Sequence, residues 1–210
     1  MKIIVVADDD LKAELLHQGM NEPVTIEWFN DIRQASQVQA EACIDLLFTI
    51  DPEERTRLLA QLPVNLVVVN DVIGSTEKLP ASFVRINGWR TFLQRPLMEA
   101  AGGDEKIRNQ AAEIFNRFNK KIEWTADVPG FITARIISML INEAYFALDQ
   151  QVSSKAEIDI AMKTGTNYPY GPFEWCRLIG IKNVNRLLEK LSRHDPGYQP
   201  SALLQTEATL

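Results

Sequence analysis

The sequence predicts an α/β domain built on a parallel sheet, followed by a domain made only of helices. Three observations predict this order. Short runs of β-branched residues alternate with helical patterns in the first part of the chain, only helical patterns follow residue 127, and Pro129-Gly130 interrupts the chain where the pattern changes. We therefore place the first domain at residues 1–126 and the second at residues 127–210.

In the first domain, strands and helices are predicted in turn. Apolar strand runs lie at 2–7, 24–29, 43–50, 65–72, 83–89 and 120–125. Helical patterns lie at 11–19, at 32–41, from Pro52 onward and at 102–119. Gly19 suits a helix C-terminus, Pro52 suits the first turn of a helix, and an apolar stripe runs along the last of these segments. This alternation is typical of a doubly wound, Rossmann-like sheet.

In the second domain, four helices are predicted, at 132–150, 154–162, 171–180 and 184–192. The first helix carries a long apolar stripe. Ser154 and Glu157 have the spacing of a capping box, which marks the start of the second helix. Gly171 and Pro172 form a rigid turn that begins the third helix.

The composition excludes some classes of function. The chain of 210 residues has a net charge of -6 and a pI of about 5.1, which argues against a nucleic-acid partner because such proteins usually carry a basic surface. No apolar run reaches the roughly 18 residues that a membrane span needs, and the apolar run at the start is too short for a signal peptide. We expect a cytoplasmic protein with no membrane partner.

The cysteines and histidines do not form a recognisable metal or nucleophile motif. Cys43 and Cys176 lie in apolar runs and are expected to be buried thiols. His17 and His194 are expected at the surface or at helix ends. The sequence therefore predicts no metal site.

Three motifs in the second domain resemble the C-terminal domain of the 3-hydroxyacyl-CoA dehydrogenases. DVPGFITAR at 127–135 is similar to that family's Asp-x-Pro-Gly-Phe-Ile-x-Asn-Arg run. Residues 157–175 are similar to its Asp-Ile-Asp-x-Ala-Met and Gly-x-x-x-Pro-x-Gly-Pro-x-Glu pattern, and 195–204 to its closing Tyr-x-Pro-Ser-x-Leu-Leu run. The resemblance implies a helical domain like the C-terminal domain of 6-phosphogluconate dehydrogenase, which makes a homodimer and one wall of the active-site cleft.

The resemblance also implies an NAD site after the first strand, where the sequence departs from the family. There a Gly-x-Gly-x-x-Gly turn lets the pyrophosphate approach a helix N-terminus. Asp8, Asp9 and Asp10 occupy this turn, and their side chains and charges would oppose a phosphate. Residues 29–43 have room for one helix only, where the family inserts a hairpin that helps to hold CoA. We expect a shortened Rossmann-like domain with no bound cofactor, so that NAD is implied by the family alone.

The catalytic positions that the resemblance implies are also changed. The family uses a His in a Gly-x-His-Phe-Phe-Asn run and a Glu that orients it. Arg90 stands at the position of this His, and arginine cannot act as a base at neutral pH. Glu99 matches the family's Glu, and Asn70 matches an Asn that follows a later strand. We interpret Glu99 and Asn70 as vestigial catalytic residues.

Two hypotheses of different classes follow. The first is a degenerate family member that keeps the fold and the dimer and serves as a binding or structural homologue. The second is an active NAD-dependent oxidoreductase, for a 3-hydroxyacyl-CoA or a related hydroxy acid, with altered site residues. A third interpretation places Arg90, Arg95 and Glu99 in a residual cleft for an anionic small molecule, since arginine suits carboxylates and phosphates.

Overall fold

A computed structural model describes all residues, 1–210, and the chain divides into two compact units, Met1–Phe131 and Ile132–Leu210. The first, the sheet unit, contains seven strands: β1 (Lys2–Val6), β2 (Thr25–Phe29), β3 (Ala42–Asp45), β4 (Leu66–Asn70), β5 (Phe83–Ile86), β6 (Leu97–Gly102) and β7 (Lys121–Trp124). Its helices are α1 (Asp9–Leu16), α2 (Pro52–Leu59) and α3 (Glu105–Arg117).

The strands form one sheet in the order β2-β1-β3-β4-β5-β6-β7. Neighbours from β2 to β5 are parallel, β6 is antiparallel to β5, and β7 is parallel to β6. The chain leaves β1 toward β2 on one side and then crosses back to β3 on the other side. The topological switch point, where doubly wound folds open a crevice for ligands, therefore lies between β1 and β3.

The helices cover both faces of the sheet. One apolar core joins α1 and α3 to side chains of the central strands, including Ile3, Ile44 and Val68. A second core on the opposite face joins α2 to side chains that alternate with these, including Ile4 and Cys43. This alternation follows from the period of two along a strand. The predicted fold class, a Rossmann-like α/β domain followed by a helical domain, is confirmed.

Two predicted elements of the sheet unit are wrong. The predicted helix at 32–41 is only a 3₁₀ turn, Ile32–Ala35. Because β2 lies at the sheet edge and β3 on the far side of β1, residues 36–41 must cross two strand spacings of about 4.8 Å each, which an extended chain does with few residues. The predicted strand at 43–50 ends at Asp45, whose carboxylate accepts the N–H of Leu47 and turns the chain.

The strand β6 was not predicted. Its sequence, LMEAAG, consists mainly of strong helix formers, so local propensity argues against a strand. Backbone pairing with β5 and β7 on both sides outweighs that propensity. Gly102 ends the strand with a φ of 95°, a conformation that favours glycine.

The second unit, the helical unit, contains five helices: α4 (Thr133–Asp149), α5 (Lys155–Thr166), α6 (Pro172–Ile179), α7 (Ile181–Ser192) and α8 (Ala202–Thr209). Four were predicted, and the capping box of Ser154 and Glu157 starts α5 as expected. The helix α8 was missed because its residues were interpreted only as a closing motif. No helix of the chain has the length and apolar character needed to cross a membrane.

The three sequence motifs of this region make contacts that hold the helical unit together. Arg135 lies over the ring of Tyr198 at 5.6 Å. The side chain of Asn142 donates to the carbonyl of Gln199 at 2.9 Å and accepts the N–H of Ser201 at 2.8 Å. The motifs are thus accounted for, in part, by packing of α4 against the segment before α8.

Asp159 explains the Gly-Pro turn of the second motif. Its carboxylate accepts the N–H of Phe173 at 2.8 Å and so satisfies a free donor at the start of α6. A Cβ atom on Gly171 would lie 2.2 Å from this carboxylate, which explains the glycine. Burial raises the pKa of Asp159, although the hydrogen bond from Phe173 opposes the shift.

Candidate functional site

The carboxyl ends of the first five strands meet at one edge of the sheet unit, where a doubly wound fold would bind a ligand. Asp8 follows β1, Leu46 follows β3, and Asn70 ends β4. Residues 87–96, the 87–96 loop, connect β5 to β6 at the same edge. This edge brings together most of the site residues that the sequence singled out.

Arg90, in the 87–96 loop, is ion-paired with two of the aspartates that follow β1. Its Nη2 lies 3.2 Å from Oδ2 of Asp8, and its Nη1 donates a hydrogen bond to Asp10. The hydrogen bond to Asp10 is the main reason that the pKa of Arg90 is raised. Asp8 is also the N-cap of α1, since its Oδ1 accepts the N–H of Leu11 at 2.8 Å. This Asp8–Arg90–Asp10 cluster lies at the turn where a glycine-rich sequence would admit a pyrophosphate.

Two further charged side chains fix the 87–96 loop. Glu14 on α1 accepts the N–H of Thr91 through both carboxylate oxygens, at 2.9 and 3.0 Å. The ammonium of Lys120, which is 1% exposed, donates to the carbonyl oxygens of Leu93 at 2.6 Å and Arg95 at 3.0 Å. Burial raises the pKa of Glu14 and lowers the pKa of Lys120 to about 8. Neither Glu14 nor Lys120 was expected at the site from the sequence.

Asn70 is buried and joins the ends of three neighbouring strands. Its Nδ2 donates to the carbonyl oxygens of Leu46 and Gly88, both at 3.1 Å, and its Oδ1 accepts the N–H of Gly88 at 3.1 Å. A Cβ atom on Gly88 would lie 2.8 Å from Cγ of Asn70, so the contact requires glycine. The amide of Asn70 is thus engaged with the backbone on both sides.

Glu99 is buried on β6 and faces Asn87. The side chain of Asn87 donates to Oε2 of Glu99 at 3.0 Å, and the backbones of the two residues also bond at 3.0 Å, because β5 and β6 are antiparallel. The guanidinium of Arg95 lies over the ring of Phe92 at 4.9 Å. Arg90 is therefore brought together with Asp8 and Asp10, whereas Arg95 and Glu99 have these other partners.

The remaining candidates lie outside this constellation. Asp9, His17 and His194 are exposed. Cys43 and Cys176 are buried free thiols, as predicted. No three His, Cys, Asp or Glu side chains converge in a way that could hold a metal ion.

Arg85 is a buried cation that the sequence analysis missed. It points from β5 with no exposed surface and donates to the carbonyl oxygens of Asp71, Gly74 and Val128. Its Nε lies 2.9 Å from Oδ1 of Asp127, and burial lowers its pKa. The available signal was a charged residue inside an otherwise apolar strand run, since buried arginine is rare unless paired.

Arg85 ties the segment after β7 to the sheet unit. Asp127 also accepts hydrogen bonds from the N–H and the hydroxyl of Thr76, at 2.8 and 2.6 Å. The N–H of Gly130 donates to the carbonyl of Val72 at 2.7 Å, and Phe131 lies against the Arg85 guanidinium at 4.7 Å. These bonds explain why residues up to Phe131 belong to the compact sheet unit.

A second buried ion pair was also missed. Arg55 on α2 binds Asp45 through two hydrogen bonds of 2.7 and 2.8 Å. Asp45 is fully buried, and burial raises its pKa even though Arg55 opposes the shift. This pair fastens α2 to the end of β3.

The family comparison matches the second half of the chain. Residues 130–209 match the family model for the C-terminal domain of 3-hydroxyacyl-CoA dehydrogenase. The chain is 38% identical over 113 residues to the 3-hydroxyadipyl-CoA dehydrogenase of Escherichia coli K12, which covers 53% of this chain and 24% of that protein. It is 30% identical over 130 residues to the 3-hydroxybutyryl-CoA dehydrogenase of Bradyrhizobium diazoefficiens, which covers 60% of this chain and 44% of that protein. The matches therefore span less than half of these relatives.

Solved structures match the fold over nearly the whole chain. FadB2 of Mycobacterium tuberculosis superimposes with a TM-score of 0.77 at 14% identity, and covers 99% of this chain and 93% of its own. The (S)-3-hydroxybutyryl-CoA dehydrogenase PaaH1 of Ralstonia eutropha superimposes with a TM-score of 0.75 at 18% identity and the same coverage. At these identities the match establishes the fold alone.

Proposed function

We propose that the chain is a degenerate member of the 3-hydroxyacyl-CoA dehydrogenase family, whose C-terminal domain it matches over residues 130–209, and that it neither binds NAD in the usual way nor catalyses the family's reaction. In this proposal the chain serves as a binding or structural homologue. The observation that carries the proposal is the Asp8–Arg90–Asp10 cluster, which occupies the turn where a pyrophosphate would bind.

Electrostatics at this turn support the proposal. Asp8, Asp9 and Asp10 with Arg90 leave two net negative charges at the start of α1. A like charge at about 4 Å costs on the order of 1 kcal/mol in water and about 4 kcal/mol near a protein surface. Two such charges offset much of the roughly 8 kcal/mol of a micromolar interaction. Asp8 also uses the α1 N–H of Leu11, a donor that a phosphate would need.

The chemistry of the remaining residues supports the same proposal. Arg90 cannot take a hydroxyl proton at neutral pH, and its charge is already paired. Asn70 bonds to the backbone of Leu46 and Gly88, which leaves its amide committed to the fold. The alternative, an active NAD-dependent oxidoreductase for a 3-hydroxyacyl-CoA or a related hydroxy acid, draws its support from Glu99, which is retained and buried.

Titration with NAD distinguishes the two candidates. We expect the unmodified protein to bind NAD no more tightly than millimolar in calorimetry, because the turn repels phosphate, and to form no NADH from 3-hydroxybutyryl-CoA. Arg90→His alone is expected to remain inactive, since the aspartates stay in place. The combined variant with Asp8→Gly, Asp10→Gly and Arg90→His tests whether the fold still supports the reaction. NADH formation by the unmodified protein would overturn the proposal.

We propose in addition that the helical unit forms a homodimer through α4. Ile132 and Ile136 are 52% and 56% exposed, and Phe146 further along the helix is also exposed. Ile132 and Ile136 are four residues apart, and Phe146 is fourteen residues, or two heptads, from Ile132, so these side chains form a stripe on one side of the helix that a second copy would bury. Such a dimer would give a degenerate member a structural role.

Sedimentation at micromolar concentration tests the dimer. The unmodified protein is expected to sediment as a dimer, and Ile136→Glu is expected to make it a monomer because a charge would lie within the buried stripe. Ile160→Glu is the matched control, because Ile160 is 57% exposed on α5, outside the stripe. A monomer of the unmodified protein would rule out this association.

We also propose that an anionic small molecule binds at the edge of the sheet where the carboxyl ends of the strands meet. This proposal rests on Arg95 and on the acidic ligands of the family. The guanidinium of Arg95 is half-buried over Phe92. The Asp8–Arg90–Asp10 cluster weakens this proposal, since Arg90 already binds two carboxylates.

A further inference from the structure

The helical unit contains a cavity of about 660 Å³ that no part of the proposed function uses. Side chains of α4, α5, α6 and α8 line it, with the turn between α6 and α7 at one end. Cavities of about 300–1,000 Å³ are typical of small-molecule sites. All of the lining residues belong to the helical unit, so the cavity is a property of that unit.

The floor of this cavity is apolar and aromatic. Tyr145 and Phe173 are buried and pack edge to face, with ring centroids 5.0 Å apart. Cys176 is 3% exposed beside them, and burial raises the pKa of its thiol to about 11, so that the thiol is neutral at physiological pH. These side chains would face the apolar group of a ligand, beside the Lys155 ammonium, which lies 5.2 Å from the ring centre of Tyr145 and 5.4 Å from that of Phe173.

The polar wall of the cavity binds a carboxylate that the chain itself supplies. The ammonium of Lys155 lies 2.7 Å from both carboxylate oxygens of Glu207, and the hydroxyl of Tyr145 donates to one of them at 2.7 Å. Burial would raise the pKa of Glu207, but these two donors outweigh it and lower the pKa. Lys155 and Tyr145 are therefore preorganised to receive a carboxylate.

The Lys155–Glu207 pair is also open to exchange. The side chains of Lys155 and Glu207 are 43% and 30% exposed. Ion pairs at this exposure are usually weak, because solvent screens them. Arg177 is exposed at the rim and adds a second cation. A ligand carboxylate that carries an apolar group would add apolar contacts with Tyr145 and Phe173, whereas the side chain of Glu207 has no such group beyond its carboxylate.

We propose that this cavity binds a small amphipathic carboxylate, an aryl or alkyl acid, whose carboxylate replaces that of Glu207 at Lys155 and Tyr145. The apolar part of the ligand lies against Tyr145, Phe173 and Cys176. The class is a carboxylate rather than a cation because the ammonium of Lys155 and the hydroxyl of Tyr145 converge on the position of the Glu207 carboxylate. The other carboxylate that lines the cavity, that of Asp159, already accepts the N–H of Phe173. This inference does not depend on the absence of NAD binding.

Calorimetry with 4-phenylbutyrate tests the proposal on the full chain. The unmodified protein is expected to bind with a Kd of about 1 mM, which is ordinary for a ligand of this size. Glu207→Gln frees the ammonium and is expected to tighten binding at least tenfold. Lys155→Met is expected to weaken it at least tenfold, and Tyr145→Phe to weaken it several-fold.

Controls separate this site from general charge effects. Lys163→Met is the matched control, because Lys163 lies on the same helix, α5, and makes a similar ion pair with Glu174 of α6, but does not line the cavity. It is expected to leave binding unchanged. Phosphate that binds as tightly as 4-phenylbutyrate would overturn the amphipathic class. Binding by Glu207→Gln that is no tighter than that of the unmodified protein would overturn the site.

Discussion

Replacing Arg85 with methionine is expected to lower the free energy of unfolding of the sheet unit by about 3–5 kcal/mol, because three carbonyl oxygens and the half-buried Asp127 lose their cation together. The guanidinium is fully buried and bonds to three carbonyl oxygens and to Asp127. Methionine fills similar space but donates nothing, so these acceptors lose their partner. The loss also releases the segment that follows β7.

Urea unfolding followed by tryptophan fluorescence measures this effect, since Trp28, Trp89 and Trp124 lie in the sheet unit. Arg33→Met is the control, because Arg33 is 61% exposed and pairs with Asp31 and Glu54 at the surface. A surface pair of this kind is worth about 0–1 kcal/mol. If the two variants shift the transition equally, the role assigned to Arg85 is wrong.

The second large effect is a rise in the free energy of unfolding with pH, caused by the buried Lys120. The pKa of Lys120 is about 8 in the folded protein and 10.5 for an ordinary lysine. Between these values the unfolded chain holds a proton that the folded chain has released, so stability rises with pH across this window. Below pH 8 the full cost of the buried ammonium is present. The free energy of unfolding gains at most roughly 3 kcal/mol from pH 8 to pH 10.5.

The comparison of the unmodified protein with Lys120→Met isolates this contribution. The difference between their free energies of unfolding is expected to move in favour of the unmodified protein between pH 8 and 10.5, because methionine has no proton to release. Lys106→Met, an exposed position on α3, should show no such trend. A difference that stays constant with pH would contradict the burial of a charged Lys120.

The fold could be predicted from the sequence where hydrophobic pattern and turn chemistry agree. The runs that became β1 and β4 are apolar, short and bounded by polar residues, and Pro52 and Ser154 mark helix starts through local chemistry. The predicted secondary structure is wrong where contacts between distant parts of the chain, rather than local sequence, determine the element. The 3₁₀ turn Ile32–Ala35 does not continue as a helix to residue 41 because of where β2 and β3 lie in the sheet, and β6 is a strand because it has partners on both sides.

From the sequence, the residues of the candidate site could be named one by one, but the contacts between them could not be predicted. Sequence alignment to the family pointed to Arg90 and to Asp8, Asp9 and Asp10 separately. It could not reveal that Arg90 pairs with residues about 80 positions away, since such contacts depend on the sheet order. Lys120 was read as the start of a strand, and nothing in its local sequence indicates that its ammonium meets the 87–96 loop.

The two edge strands of the sheet carry features that oppose aggregation. The outer strands β2 and β7 have only four or five residues and expose one row of backbone groups each. Glu27 on β2 is paired with Lys2, and Lys121 and Glu123 stand exposed on β7. Charged side chains on short edge strands discourage strand addition by another chain. Association of two copies through the sheet edges is thereby disfavoured, which favours the dimer proposed above, through α4, over one built on strand pairing.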